Sequence, residues 1–200
     1  MLSGSIKRWA RFSFLYNIFV QIFFTSDTHF GHARIIELSK RPFSNIEEMN
    51  ETIIQNWNAV VGPGDVVYHL GDAFMGPRET VFLRKRLNGK IILIKGNHDK
   101  KDALLLSAGI DEIHRSLEIE LDGYKLYLAH IPMSLDPGTR WYPEELKLKP
   151  PEYFDYFLCG HVHTEWKRKG KIINVGVDVS NFTPLTLAQL LARDDESATK

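Results

Sequence analysis

A chain of 200 residues is long enough for one domain with a sizeable core, so neither disulfides nor a structural metal is needed for folding. Its 44% hydrophobic and 25% charged residues exclude a mostly disordered chain, a collagen and a coiled coil. Lys+Arg 25 balances Asp+Glu 25, so overall charge gives no pull toward nucleic acid or an anionic membrane, and the single cysteine fits a reducing cytosol.

Lys7, Arg8 and Arg11 precede an apolar run over 12–24, which resembles the start of an export signal. Asn17 and Gln21 interrupt the run and no small-residue cleavage site follows. Residues 1–21 are therefore read as an N-terminal extension of a cytoplasmic protein with no stable membrane association. Residues 22–193 are read as the domain and 194–200 as a polar tail. Ile22–Thr25 reads as a buried strand. Ser44 and Glu47 form a capping-box signature before a helix whose apolar face runs through Met49, Ile53, Trp57 and Val60. Strands are expected at Val66–Leu70 and Ile91–Ile94, with helices over Glu79–Leu87 and Lys101–Ala108. Asp122-Gly123 predicts a hairpin between strands at Leu117–Leu121 and Tyr124–Ala129. Further strands are expected at Tyr156–Cys159 and Lys171–Val175, with Lys167–Lys169 at a hairpin turn. Thr186 and Gln189 cap a last short helix. This order indicates two sheets flanked by helices.

In α/β folds the loops after strand ends gather at one sheet edge and carry the chemistry. Here the first strand ends in Asp27-Thr-His29, the second in Gly71-Asp72 and the third in Gly96-Asn97-His98-Asp99. The strand at Tyr124–Ala129 ends in His130 and that at Tyr156–Cys159 in Gly160-His161-Val-His163. Each fragment alone is weak; their joint placement after apolar runs is specific. Oxygen and imidazole donors suit Mn²⁺, Fe, Zn²⁺ or Ni²⁺. Seven candidate ligands are too many for one ion and suit two ions sharing a carboxylate. Such a pair clamps a phosphoryl group and acidifies a bridging water into a hydroxide nucleophile.

This set of motifs resembles the calcineurin-like metallophosphoesterase superfamily over roughly 22–184. Within it, Thr-Ser-Asp-Thr-His-Phe-Gly-His (25–32) and Ile-Asn-Val-Gly-Val-Asp (173–178) are similar to the small bacterial and phage-type phosphoesterases. The resemblance implies a four-layer α/β/β/α sandwich of two mixed sheets flanked by helices. It implies that Asp27, His29 and His163 bind a first metal, that Asp72 bridges, and that Asn97, His130 and His161 bind a second. The expected cofactors are two divalent transition metal ions, Mn²⁺ foremost. His98 resembles the family's non-ligand histidine, which contacts the phosphate and protonates the leaving oxygen. Ala73 to Arg78 lack the second Asp and the early Arg that follow Gly-Asp in Ser/Thr protein phosphatases. Met75 stands where purple acid phosphatases carry a ligand tyrosine.

The expected activity is hydrolysis of a small phosphate ester, with phosphodiesters favoured. Monoester hydrolysis and nuclease action are the alternatives within enzymes, and neutral charge weighs against the basic track a nuclease needs. A non-catalytic metal-binding scaffold is the alternative outside enzymes, and the intact His98 weighs against it. His32 stands near enough in sequence to reach substrate or to serve as a supporting histidine. His69 reads as a packing or supporting residue, His114 as solvated and Cys159 as a small buried hydrophobe. Asp178 and Asn181 are candidates to orient a metal-bound histidine. Residues 134–152, with Arg140, Trp141 and Tyr142, form a long loop between His130 and His161 that suits a lid.

Overall fold

The computed structural model describes residues 20–133 and 151–194, and there the apolar runs become two five-stranded sheets. The first sheet contains β1 (Ile22–Thr25), β2 (Val66–His69), β3 (Lys90–Ile94), β4 (Glu112–His114) and β10 (Leu185–Thr186). Its order is β10-β1-β2-β3-β4, with β1 to β4 parallel and β10 antiparallel to β1. The second contains β5 (Ser116–Leu121), β6 (Tyr124–Ala129), β7 (Tyr156–Cys159), β8 (Arg168–Lys169) and β9 (Ile172–Asn174), in the order β5-β6-β7-β9-β8. Both sheets are mixed, and helices flank them, as the sequence resemblance implies. The proposed extension before residue 20, the loop 134–150 and the tail after 194 lie outside the described residues.

Alternation along the strands divides the core. Phe24, Leu70, Ile94, Leu126, Leu128, Leu158 and Ile173 meet between the two sheets. Phe23, Val67, Ile91 and Leu93 face the other way, toward α2 (Ile46–Val60), α3 (Pro77–Arg84) and α4 (Asp102–Ser107). On α2, Met49, Ile53 and Trp57 recur at four-residue spacing and are buried, each contributing roughly 1.5–3 kcal/mol by leaving water. The outer face of the second sheet carries Tyr127 and Phe157, which pack among the described residues with Met133 and Phe154. The helix α1 (Arg34–Leu38), which no periodicity announces, follows the first site loop. No helix of the described residues is long and apolar enough to cross a membrane.

Several boundaries differ from the sequence reading, most of all those of α2 and α3. The cap of α2 is Asn45, not Ser44: its side chain accepts the Glu48 N–H at 2.8 Å, and Glu48 accepts the Ser44 N–H at 2.7 Å. Asn caps as well as Ser, and the extended backbone at Asn45 aims its oxygen at that N–H. Helix α3 starts earlier, with Pro77 at its first turn, where a missing N–H costs nothing. It stops at Arg84, whose guanidinium donates to the carbonyls of Leu87, Gly89 and Gly109 and so turns the following chain. The Asp122-Gly123 hairpin and the Thr186/Gln189 capping box of α5 (Leu187–Leu191) form as expected, because both signals are local.

Candidate metal centre

The C-terminal ends of β1, β2 and β3 meet those of β6 and β7 along one edge of the sandwich. Backbone hydrogen bonds tie the site loops together there. Asp27 N–H donates to Gly71 O at 2.9 Å, Gly160 N–H to His130 O at 2.9 Å and Val177 N–H to Ser26 O at 3.0 Å. Two glycines permit this approach. A Cβ on Gly160 would collide with Ser26 Oγ and Asp27 Oδ2, and one on Gly71 would meet the His130 ring.

The backbone reverses sharply at the candidate ligands. Asp27, His29, Asp72, His161 and His163 all have left-handed φ, between 43° and 72°. Each such non-glycine residue costs about 1–3 kcal/mol, a cost that clusters where function dictates side-chain direction. The payoff is convergence of donor atoms. Suitable atoms of Asp27, His29 and His163 lie within 4.8 Å of one another, and so do those of Asp27, Asp72 and His130. Asp72 Oδ2 faces both halves, 3.7 Å from His29 Nε2 and 3.4 Å from His130 Nε2. Asn97 Oδ1 is 3.2 Å from His130 Nε2, and the His161 ring lies 5.2 Å from the His130 ring, centroid to centroid. The structure thus brings every candidate ligand to one edge.

Neighbours set which ring nitrogen faces inward. His130 Nδ1–H donates to Leu70 O at 2.7 Å, leaving Nε2 toward Asp72. His163 Nδ1–H donates to Asp178 Oδ2 at 2.8 Å. Asp72 Oδ1 accepts the His98 N–H at 2.8 Å, which leaves Oδ2 for the site. Asp27 Oδ2 accepts the His161 N–H at 2.9 Å and lies 2.6 Å from the Ser26 hydroxyl. Asp27 Oδ1 and His29 Nε2 are buried with no hydrogen-bond partner, 3.9 Å apart. Buried polar atoms without partners cost free energy, and these two point where a cation would satisfy both.

The electrostatics agree. Burial pushes the Asp27 carboxyl above the usual range despite His130 and His163 nearby. Burial drives the His29 ring down to about 3, so it is neutral and a lone-pair donor. Burial also opposes the charges of Asp72 and His130, but their mutual bonding outweighs it: Asp72 is held low and His130 is raised to about 9. A positive charge between these carboxylates is therefore favoured, whether carried by a proton on His130 or by a metal ion. The donor set, carboxylate, amide oxygen and imidazole, fits a hard to borderline divalent ion.

The calcineurin-like phosphoesterase superfamily domain matches residues 20–177. The chain belongs to that superfamily. Among its relatives, the uncharacterized protein MJ1445 of Methanocaldococcus jannaschii is 39% identical over 178 residues, covering 84% of this chain and 87% of that protein. The gene 66 protein of Mycobacterium phage L5 is 37% identical, covering 85% and 81%. A solved structure, the protein of unknown function AQ665 from Aquifex aeolicus, superposes with a TM-score of 0.67 at 33% identity, covering 86% of this chain and 97% of that one.

The candidate ligands are not the only residues that build this site. The buried Arg41 donates to Asp27 O at 2.7 Å, Thr28 O at 3.1 Å and both oxygens of Asp178. Nothing local in the sequence singles it out. Asp99 accepts the N–H groups of Asp72, Ala73 and Gly96 at 2.8–2.9 Å and clamps two ligand loops together. Its place three residues after Gly96, in a polar loop, is the one sequence signal for that role. Asp178 orients His163 as the sequence suggested, whereas Asn181 contributes only backbone contacts, to Asn56 and Thr183. His32 comes to the site edge, its ring 5.3 Å from that of His29 and 6.5 Å from that of His98. His69 supports the site from behind, its Nε2 3.0 Å from Thr28 Oγ1. His114 pairs with Glu112 at 3.1 Å at the surface, its side chain 33% exposed. Cys159 is buried, and burial raises its thiol pKa, which suits a packing residue.

Proposed function

We propose that the protein is a dimetal-dependent phosphoesterase that prefers phosphodiesters. The observation that carries this reading is Asp72 Oδ2, which faces His29 Nε2 and His130 Nε2 at once, beside the unpartnered Asp27 Oδ1. Asp27, His29, His163 and Asp72 would hold one ion; Asp72, Asn97, His130 and His161 would hold the other. Divalent ions of the Mn²⁺, Fe, Zn²⁺ or Ni²⁺ kind would supply Lewis acidity to the phosphoryl oxygens and lower the pKa of a water.

The chain's own residues supply the rest. His98 is exposed at the rim, its ring 5.7 Å from that of His29, while its backbone N–H is tied to Asp72. Its side chain is therefore available to give a proton to the departing alkoxide oxygen. Asp178 and Leu70 O keep His163 and His130 in one tautomer each. Diester preference is supported by Arg41. A dianionic monoester is held best by fixed cationic groups, and the five donors of Arg41 are already committed to Asp27 O, Thr28 O, Met49 Sδ and the two oxygens of Asp178.

The experiment loads the protein with Mn²⁺, counts metal per chain, and compares kcat/KM for bis-p-nitrophenyl phosphate and p-nitrophenyl phosphate at one pH. The expected result is close to two metals and a higher value for the diester. A clear preference for the monoester would replace this reading with a small-molecule phosphatase.

A further inference from the structure

Two of the candidate ligand rings are held from behind by an oxygen, His130 Nδ1 by Leu70 O at 2.7 Å and His163 Nδ1 by Asp178 Oδ2 at 2.8 Å. His29 is held differently. Its Nε2 is buried without a partner and faces the carboxylates, 3.9 Å from Asp27 Oδ1 and 3.7 Å from Asp72 Oδ2. Nδ1 is therefore the nitrogen left for support. It is hydrogen-bonded at 3.4 Å to Nδ1 of His32, a half-buried residue.

The turn His29-Phe30-Gly31-His32 makes this contact. The His32 N–H donates to His29 O at 3.0 Å, and the Ile35 N–H donates to His32 O at 3.1 Å as α1 begins. Gly31 takes a left-handed φ of 81°, which glycine adopts without strain, and its N–H donates to Asn50 Oδ1 at 3.2 Å. Phe30 is buried and stacks on Phe74, anchoring the turn in the core. Backbone and core thus set the His32 ring beside that of His29, with centroids 5.3 Å apart.

Two neutral imidazole nitrogens in such a contact share one proton, so one donates and the other accepts. An ion held by the Nε2 lone pair of His29 leaves the proton of that ring on Nδ1. His29 Nδ1–H then donates, His32 Nδ1 accepts, and the proton of His32 sits on Nε2. We propose that His32 is a positioning residue of the metal centre, whose Nδ1 lone pair fixes the tautomer and orientation of His29 as Asp178 does for His163. The inference rests on the dimetal reading of the site.

The test uses Zn²⁺, a diamagnetic ion that suits imidazole and carboxylate donors. In titration calorimetry of the full chain, His32→Leu removes the acceptor and should weaken one of the two Zn²⁺ ions by about 10–100-fold. His32→Asn places an amide oxygen one bond from Cγ, where Nδ1 stands, and should recover binding to within about threefold of the unmodified protein. Long-range proton–nitrogen correlation spectra of the Zn²⁺-loaded unmodified protein should show His32 protonated on Nε2 and bare on Nδ1. Unchanged affinity in His32→Leu would overturn the inference, as would His32→Asn binding as weakly as His32→Leu. A proton on His32 Nδ1 would overturn it as well, and that readout needs no variant to fold. Any of these results leaves the phosphoesterase reading standing, since hydrolysis of bis-p-nitrophenyl phosphate by the unmodified protein decides that. Conversely, a His32-dependent Zn²⁺ site without hydrolysis would uphold the role of His32 and remove the activity.

Discussion

The ring N–H of His163 donates to Asp178 Oδ2 at 2.8 Å. Asp178 in turn accepts from Arg41, which grips the carbonyls of Asp27 and Thr28, and neither side chain of the Arg41–Asp178 pair reaches solvent appreciably. The pair thus positions two candidate ligands, one through its ring and one through its backbone. Asp178→Asn should weaken metal binding by about 10–100-fold, the usual effect of losing a carboxylate behind a ligating histidine. Arg41→Met should destabilise the fold by about 3–5 kcal/mol, because it strands a buried carboxylate. The double change Arg41→Met/Asp178→Leu should recover much of that stability without recovering metal affinity. Urea unfolding and metal titration calorimetry together read both effects; recovery of both would reduce the pair to a structural role.

Asp72 touches both halves of the site, so its loss should exceed that of any one-sided ligand. Asp72→Asn should bring metal content well below two per chain and lower activity by more than about 100-fold, beyond the range for supporting residues. Asn97→Ala should keep at least one ion. Elemental analysis after gel filtration distinguishes them, and equal metal loss in both variants would argue against Asp72 as the shared ligand.

His98 is expected to act on the leaving group and not to hold metal. His98→Ala should leave metal content nearly unchanged and lower kcat by roughly 10²–10⁴. The loss should be smaller for a nitrophenyl ester than for an alkyl ester, since a good leaving group departs without a proton. The same loss for both esters would remove the acid role.

His69 makes the metal-free protein acid-sensitive. It is buried against Trp57 and Thr28, and burial pushes its pKa down to about 3. The unfolded chain binds a proton there below about pH 6.5 and the folded chain does not. Stability is thus full above that pH and falls as pH drops toward 3, by up to about 1.4 kcal/mol per pH unit. His29, also neutral through burial, adds a parallel loss in the same window. His130, raised to about 9, contributes the opposite slope: its stabilisation is present below pH 6.5 and fades as pH rises through 9. Denaturant unfolding of metal-free protein from pH 6.5 to 5 should show a slope flatter by about one proton in His69→Gln. An unchanged slope would mean that His69 is protonated in the folded state.

Most of the strands, the hairpin at Asp122-Gly123, the Thr186/Gln189 cap and the ligand types at five strand ends are legible in the sequence, because periodicity, turn chemistry and capping act over a few residues, whereas the short β4, β8 and β10 and the order of strands in each sheet are not. Superfamily membership follows from those motifs as well. Tertiary structure alone decided the rest. Arg41 and Asp178 are 137 residues apart, and only the packing of the segment after α1 against the turn after β9 joins them. The same closure turns Asp27 Oδ1 and His29 Nε2 inward without partners. Even the shift of the α2 cap from Ser44 to Asn45 follows from the extended backbone at Asn45. Sequence sets what each segment can do with its neighbours in the chain. Which distant donors share one buried point is set by the meeting of two sheet edges, where backbone strain at the ligands is held in place by the core behind them.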